Sequence, residues 1–480
     1  MNFNELKKLS NRQIQLVLRE IEMDTLAIAF AHDNEDKELY DLFVKNMSKR
    51  AVELFELRIE ELKKSGIEAD ETIKTRKSIL EIYKTLNKDM NGLPGDEGLE
   101  DSGIIKLVNS IINDAVKVNA SDIHIVPALE NFQVDYRIEG LLENQGTHDK
   151  SLLPGLIARV KHMSCLDIAE KRLPQDGRIK IRVNNETLDI RISLVPGVLG
   201  EKITMRIIKA GTAVVDLEDM RFDKDILNSI YSMLQKPWGL IFVTGTTGSG
   251  KTTTCYGLLN YYLQKNLSVI TVEDPVEYVL PGATHIQIRN DIGLNFPSAL
   301  KSAMRTDPDV VFVGEIRDTE TLKIAVQAAQ CGHIVICQMF SEDIQNLIDL
   351  LSSFEGLDKA VMANALIGVI SQKLLRSLCS ECKVKAGLDS NEKQSYNKEQ
   401  SYTAKGCSAC LESGYRGRIP CNNVLIADHQ FKTAFAQGSS GAARALIKTG
   451  LIDNARKLQK KGLTSNDEIY RVFGIENNQG

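Results

Sequence analysis

Apolar residues recur at helical spacing through the first part of the chain. Ile14, Val17, Leu18 and Ile21 fall on one helix face, and Ile79, Ile82, Tyr83 and Leu86 repeat the pattern. Val52, Phe55, Ile59 and Leu62 make a third stripe. These stripes predict a small all-α bundle over residues 1–90 that buries them against one another. Residues 91–103 read NGLPGDEGLEDSG. Their glycines and proline argue against continuous helix or strand and predict a flexible linker.

Beyond the linker the period changes. A helical pattern at 104–118 leads into alternating segments at 121–126, 132–138, 179–183, 188–193 and 202–208. They predict a small α+β domain over 104–212. From there on, short apolar runs alternate with helical patterns, as expected of a parallel α/β core. That domain is placed at 213–480, with a cysteine-rich insertion at 379–410 and a helical tail.

Composition narrows the classes. A chain of 480 residues holds about three domains by the usual size prior. A hydrophobic share of 43% and a charged share of 26% fit an ordinary soluble protein. The net charge of −5 offers no basic surplus for nucleic acid. No apolar run approaches the roughly 18 residues that a membrane span needs. The start, MNFNELKKLS, lacks the apolar core of a signal peptide. Nine cysteines, four of them in two Cys-x-x-Cys pairs, suggest a reducing cytosol and a metal knuckle rather than a disulfide framework.

The strongest chemical motif is GTTGSGKTT at 245–253, after the apolar run 239–243 and before a helical pattern at about 252–263. Its glycines, Gly245, Gly248 and Gly250, let the backbone aim several N–H groups at one phosphate chain. The following helix adds the positive end of its dipole. Lys251 reaches β/γ-phosphates, and the Thr252 hydroxyl suits Mg²⁺. With Thr246, Thr247, Ser249 and Thr253 they form the expected nucleotide-binding set, with ATP and Mg²⁺ as ligands.

Two acidic segments accompany the loop. VITVEDPVE at 269–277 ends an apolar strand at Glu273 and Asp274, where open α/β sheets bind ligands. A carboxylate there either activates water or holds the metal through water, unless the pair merely caps the next turn. DPDVVFVGEIRD at 307–318 delivers Glu315 after a buried-strand run, with Arg317 and Asp318 as a surface pair. His333 precedes the run 334–337; a phosphate-sensing role and a structural one both suit it. Cys379, Cys382, Cys407 and Cys410 have the spacing of a tetrahedral Zn²⁺ site.

Taken together, ASDIHI (120–125), RLPQDGRI (172–179), GTTGSGKTTT, VEDPVEY (272–278), DPDVVFVGEIRD and GYRGR (414–418) resemble the secretion ATPases of type II secretion and type IV pilus systems. The resemblance runs from about 102 to the C-terminus. It implies an α/β fold: a P-loop (RecA-like) ATPase core, preceded by the small α+β domain and the N-terminal all-α domain. It implies a homohexameric ring, cytoplasmic and held peripherally at the inner membrane by a platform protein of the secretion or pilus machine. It further implies that Arg191, in DIRIS, and Arg206, in TMRII, reach the phosphates from the α+β domain. One segment departs from the family. Where such proteins commonly read GHLVLSTLHTND, this chain reads GHIVICQMFSED, so Phe340 stands for the second histidine and Glu342 for the asparagine. Phe donates no hydrogen bond, and Glu adds negative charge beside a polyanion. The alternative reading is therefore an ATPase-like scaffold with impaired turnover.

The front end differs from such ATPases. LSNRQIQLVLREIE (9–22), FVKNMSKRAVE (43–53) and SILEIYKTL (78–86) resemble the C-terminal part of the flagellar rotor protein FliG. The charged row that meets the stator in FliG transfers poorly. Arg50 matches one basic position, while the acidic pair falls on Leu57 and Arg58 or, with an insertion, on Glu60 and Glu61; the last basic position is Ala69. The resemblance implies a docking module for a motor-like or stator-like partner, not torque generation.

Overall fold

The computed structural model describes residues 103–183, 186–209, 216–385 and 402–474, and before them 23–31, 37–45, 49–65 and 74–80 with isolated positions between. The chain divides into two units, Met1–Leu107 and Val108–Gly480. In the first, helices Met23–Ala31, Lys37–Lys45 and Lys49–Ser65 bury Leu26, Phe30, Phe43, Phe55 and Ile59, with Ile14, Ile21 and Ile79 in the same core. Phe30 meets Phe43 and Phe55 edge-on, at 5.7 and 6.0 Å between ring centres. Val17, Ile82, Tyr83 and Leu86 of the predicted stripes, and linker residues 91–102, lie outside the described residues. On Lys49–Ser65, Arg58 is paired with Asp24 at 2.9 Å and Glu61 at 2.8 Å.

Helix Gly103–Lys117 spans the boundary, and its Val108, Ile111, Ile112 and Ala115, in the second unit, are buried. An antiparallel sheet follows, in the order β3-β2-β1-β6-β5-β4. Its strands are β1 (Asp122–Pro127), β2 (Asn131–Ile138), β3 (Leu141–Asp149), β4 (Gln175–Val183), β5 (Glu186–Gly197) and β6 (Gly200–Lys209). Five of the six coincide with the alternating segments of the sequence. β3 does not, because LLENQGTHD is exposed or half-exposed throughout and has no apolar face to betray it. Helix Leu153–Met163 was likewise unanticipated; it buries Leu153, Leu156, Ile157 and Val160.

The core sheet runs β15-β12-β7-β11-β10-β8-β9. Its strands are β7 (Gly239–Thr244), β8 (Val269–Glu273), β9 (Thr284–Gln287), β10 (Val310–Val313), β11 (Ile334–Met339), β12 (Leu366–Leu378) and β15 (Tyr415–Ile426). All neighbours are parallel except β15 on β12. β7, β8 and β10 are buried along their whole length, as strands covered on both faces must be. Helix Lys251–Leu263 packs Cys255, Leu258, Leu259 and Tyr262 on one face. Helix Thr319–Gln330 packs Leu322, Ala325 and Ala329 on the other. Between β12 and β15 the short pair β13 (Val384–Lys385) and β14 (Tyr402–Thr403) is antiparallel. The tail helices Leu451–Lys460 and Asn466–Phe473 pack on the β12/β15 edge, where buried Glu468 holds Arg376 at 2.8 Å and Arg471 at 2.6 Å. The GYRGR segment meets the smaller sheet, since the Gly417 N–H donates to the Glu139 carboxylate at the β2–β3 turn.

Candidate functional site

β7 ends at Thr244, and the loop 245–250 curls back before helix Lys251–Leu263. Gly250 is the N-cap of that helix with φ 87°, and a Cβ there would lie 2.7 Å from Gln372 Nε2. A Cβ on Gly245 would meet the Gln372 carbonyl oxygen. Only glycine fits either place. Gln372 on β12 braces the loop from beneath. Its Nε2 donates to Ser249 O (2.7 Å), while its Oε1 accepts from Thr254 Oγ1 (2.7 Å) and Asn422 Nδ2 (2.9 Å). The sequence gives little hint of this role, since Gln372 sits between Ser371 and Lys373 like an ordinary polar strand residue.

Lys251 is 4% exposed, and its Nζ donates to Gly245 O (2.8 Å) and Thr246 O (2.9 Å). Burial pushes its ammonium down to about 8. The Ser249 hydroxyl is buried without a hydrogen-bond partner. A glycine cradle, an orphaned hydroxyl and a buried cation at a helix N-terminus together fit a phosphate chain. Thr252, next to Lys251 at the start of the helix, is the hydroxyl residue that would hold Mg²⁺, and the ion would supply positive charge against the phosphates.

The acidic segments converge on the same edge of the sheet. β8 and β10 are neighbours with Val272 opposite Val313, so Glu273 and Glu315 leave adjacent strands at their carboxyl ends. Gly314 brings them close: a Cβ there would lie 3.2 Å from Glu273 Cα. Glu273 is 3% exposed; its Oε2 accepts from Tyr256 OH at 2.7 Å, and its Oε1 lies 3.0 Å from His285 Nδ1. Glu315 is 8% exposed, with Arg317 Nη2 2.5 Å from its Oε1.

His333 corrects the sequence reading. It stands before β11, and β11 runs parallel to β7 with Ile334 opposite Gly239. That is the amino end, the whole six-residue length of β11 (roughly 20 Å) from the phosphate loop. Its Nδ1 and backbone N–H both face Ala328 O, at 2.8 and 3.3 Å, which is a structural role. The carboxyl end of β11 instead brings Phe340, half exposed, with its ring centre 4.2 Å from Lys251 Nζ. The loop is tied there by Thr244 Oγ1, which donates to Met339 O (3.2 Å) and Ser341 O (3.3 Å).

Neither arginine lies on the phosphate loop. Arg191 on β5 donates to Val276 O at 3.0 Å and pairs with Glu277 at 3.1 Å, tying the smaller sheet to the 272–277 segment. Arg206 on β6 pairs with Asp122 at 2.9 Å. A cavity of about 730 Å³ opens between the smaller sheet and the core, beside the loop. Met220, Phe222, Thr253, Gln372, Leu374 and Arg376 line it, and its size is that of a small-ligand pocket.

The four paired cysteines come together, with Cys410 on the wall of the same cavity. Their sulfurs all lie within 4.8 Å of one another. Cys379–Cys407, Cys382–Cys410 and Cys407–Cys410 are separated by 3.9, 3.8 and 3.7 Å. Four thiolates at 2.3 Å from one Zn²⁺ have tetrahedron edges of about 3.8 Å, so the set fits that ion. Backbone N–H groups of Cys407 and Gly414 point at the Cys410 sulfur, both at 3.2 Å, as second partners of a thiolate would.

Residues 97–471 match the model of the Type II/IV secretion system protein family, and residues 1–90 match the FliG C-terminal domain. The Pseudomonas aeruginosa Type II secretion system protein HxcR is 36% identical over 374 residues, 77% of this chain and 77% of that one. The Thermus thermophilus Type IV pilus assembly ATPase PilB is 36% identical over 390 residues, 78% of this chain and 44% of that one. Among solved structures, the Legionella pneumophila ATPase DotB superposes with a TM-score of 0.58 at 20% identity, covering 80% of this chain and 98% of that one. With the phosphate loop, both acidic strand ends and a family match over most of its length, the chain belongs to the Type II/IV secretion system protein family of P-loop ATPases, and its first 90 residues are similar to the FliG C-terminal domain.

Proposed function

We propose that this protein is the ATP-hydrolysing motor of a type II secretion or type IV pilus-like machine, working as a homohexameric ring. The convergence of Lys251, Glu273 and Glu315 at one sheet edge supports this reading most directly. ATP lies along loop 245–253, with Mg²⁺ at Thr252 and Glu315. Glu273 serves as general base for the attacking water. Arg191 and Arg206 stabilise charge on the transferring group, and to do so they exchange their present partners, Glu277 and Asp122. Zn²⁺ at Cys379, Cys382, Cys407 and Cys410 is structural, because all four positions of the tetrahedron are protein thiolates. Residues 1–90 form the docking domain, 91–103 the linker, 104–212 the α+β domain and 213–480 the ATPase domain. Among the described residues no helix is long and apolar enough to cross a membrane. In this reading a platform protein holds the ring at the inner membrane from the cytoplasm, and residues 1–90 dock a further partner.

A second reading, an ATPase-like scaffold, draws on Phe340, whose ring sits over Lys251 where the related segment offers a histidine. Steady-state hydrolysis by the full-length protein separates the two. The motor reading expects Mg-ATP turnover that Lys251→Ala abolishes. Wild-type protein no more active than Lys251→Ala would favour the scaffold.

A further inference from the structure

His285 lies on the edge strand β9, directly opposite Thr271 on β8. Residues two apart on a strand share a face, so Thr271, Glu273 and His285 look the same way. The His285 Nε2 accepts the Leu280 N–H at 2.9 Å. That nitrogen therefore carries the lone pair, and the ring proton sits on Nδ1. Nδ1–H points between Thr271 Oγ1, 2.8 Å away, and Glu273 Oε1, 3.0 Å away. Tyr256, from helix Lys251–Leu263, donates to the other oxygen, Oε2, at 2.7 Å. A buried carboxylate needs such donors to stay in place.

We propose that His285 is a positioning residue for hydrolysis: with Tyr256 it fixes the rotation of the Glu273 carboxylate that faces the attacking water. The inference rests on the general-base reading of Glu273. Two donors from different elements, one on each oxygen, fix the carboxylate plane. With one donor gone, the plane is free to turn about its terminal torsion, which is broad for glutamate. Misplacing a catalytic group by about 1 Å costs on the order of 100-fold in rate. Tyr256 comes from the helix that begins at the phosphate loop, so loop and carboxylate are set by one rigid element.

The test compares kcat and KM for Mg-ATP in the full-length protein across His285→Ala, His285→Asn and His285→Gln, with Glu273→Gln run alongside. An Asn amide nitrogen occupies the place of Nδ1, whereas a Gln amide reaches the place of Nε2. His285→Ala should lower kcat roughly 10- to 100-fold with KM within about twofold. His285→Asn should recover most of the rate, and His285→Gln should not. If Glu273→Gln is inactive while His285→Ala turns over like wild type, the positioning role is overturned alone. Equal loss in His285→Asn and His285→Gln also overturns it, since strand packing would then be the cause. Wild-type turnover in Glu273→Gln overturns the general-base reading and this inference with it.

Discussion

Burial holds the Lys251 ammonium near 8, and this has two opposite consequences. Between about 8 and the ordinary lysine range the unfolded chain binds more protons at this residue than the folded one. Folding stability therefore rises with pH through that window. Nucleotide binding runs the other way, because a phosphate chain selects the charged form. Affinity for ATP should fall by up to roughly tenfold per pH unit above about 8. Titrations at pH 7 to 9.5 should show this slope in wild type and a weak, flat affinity in Lys251→Met. A flat wild-type profile would mean that the ammonium is not what the phosphates meet. Lys251 was legible because its spacing within the loop fixes its chemistry. His285 and Gln372 were not, since their roles arise only when β9 pairs with β8 and β12 with β7. His333 shows the reverse error: sequence proximity to the right strand, at the wrong end of it.

At the scale of elements, β7, β10 and the start of β11 were readable as unbroken apolar runs, whereas the parallel strand β9 (THIQ) and the exposed strand β3 show no such run. β12 shows how elements are joined. It carries Gln372 beneath the phosphate loop and runs on to Leu378, beside Cys379 of the metal set. Purified protein should hold about one zinc per chain, and Cys379→Ser with Cys382→Ser should release it, because a closed tetrahedral site needs all four thiolates. Elemental analysis checks the metal, and limited proteolysis of 379–414 checks the loosening. Zinc-free wild-type protein with unchanged protease resistance would count against a structural ion. The tail joins the same edge through Glu468. Burial alone would raise its pKa, but Arg471 and Arg376 outweigh it and hold it below the usual carboxylate range.

At the scale of the molecule, the helical front unit has its own core of Phe30, Phe43 and Phe55, while every group assigned to nucleotide or metal lies beyond Val108. Removing residues 1–90 should therefore leave ATP hydrolysis and zinc content near wild type and abolish function in the cell. Loss of hydrolysis together with breakdown of the oligomer would instead make that unit part of the ring. Within the second unit, β13 and β14 pair with Lys385 opposite Tyr402, and the flanking cysteines have sulfurs that all lie within 4.8 Å of one another. The two ends of stretch 386–401 are thus fastened together independently of what lies between. A single cut in the chain between Lys385 and Tyr402 should therefore leave β12 and β15 joined through the strand pair and the sulfur cluster.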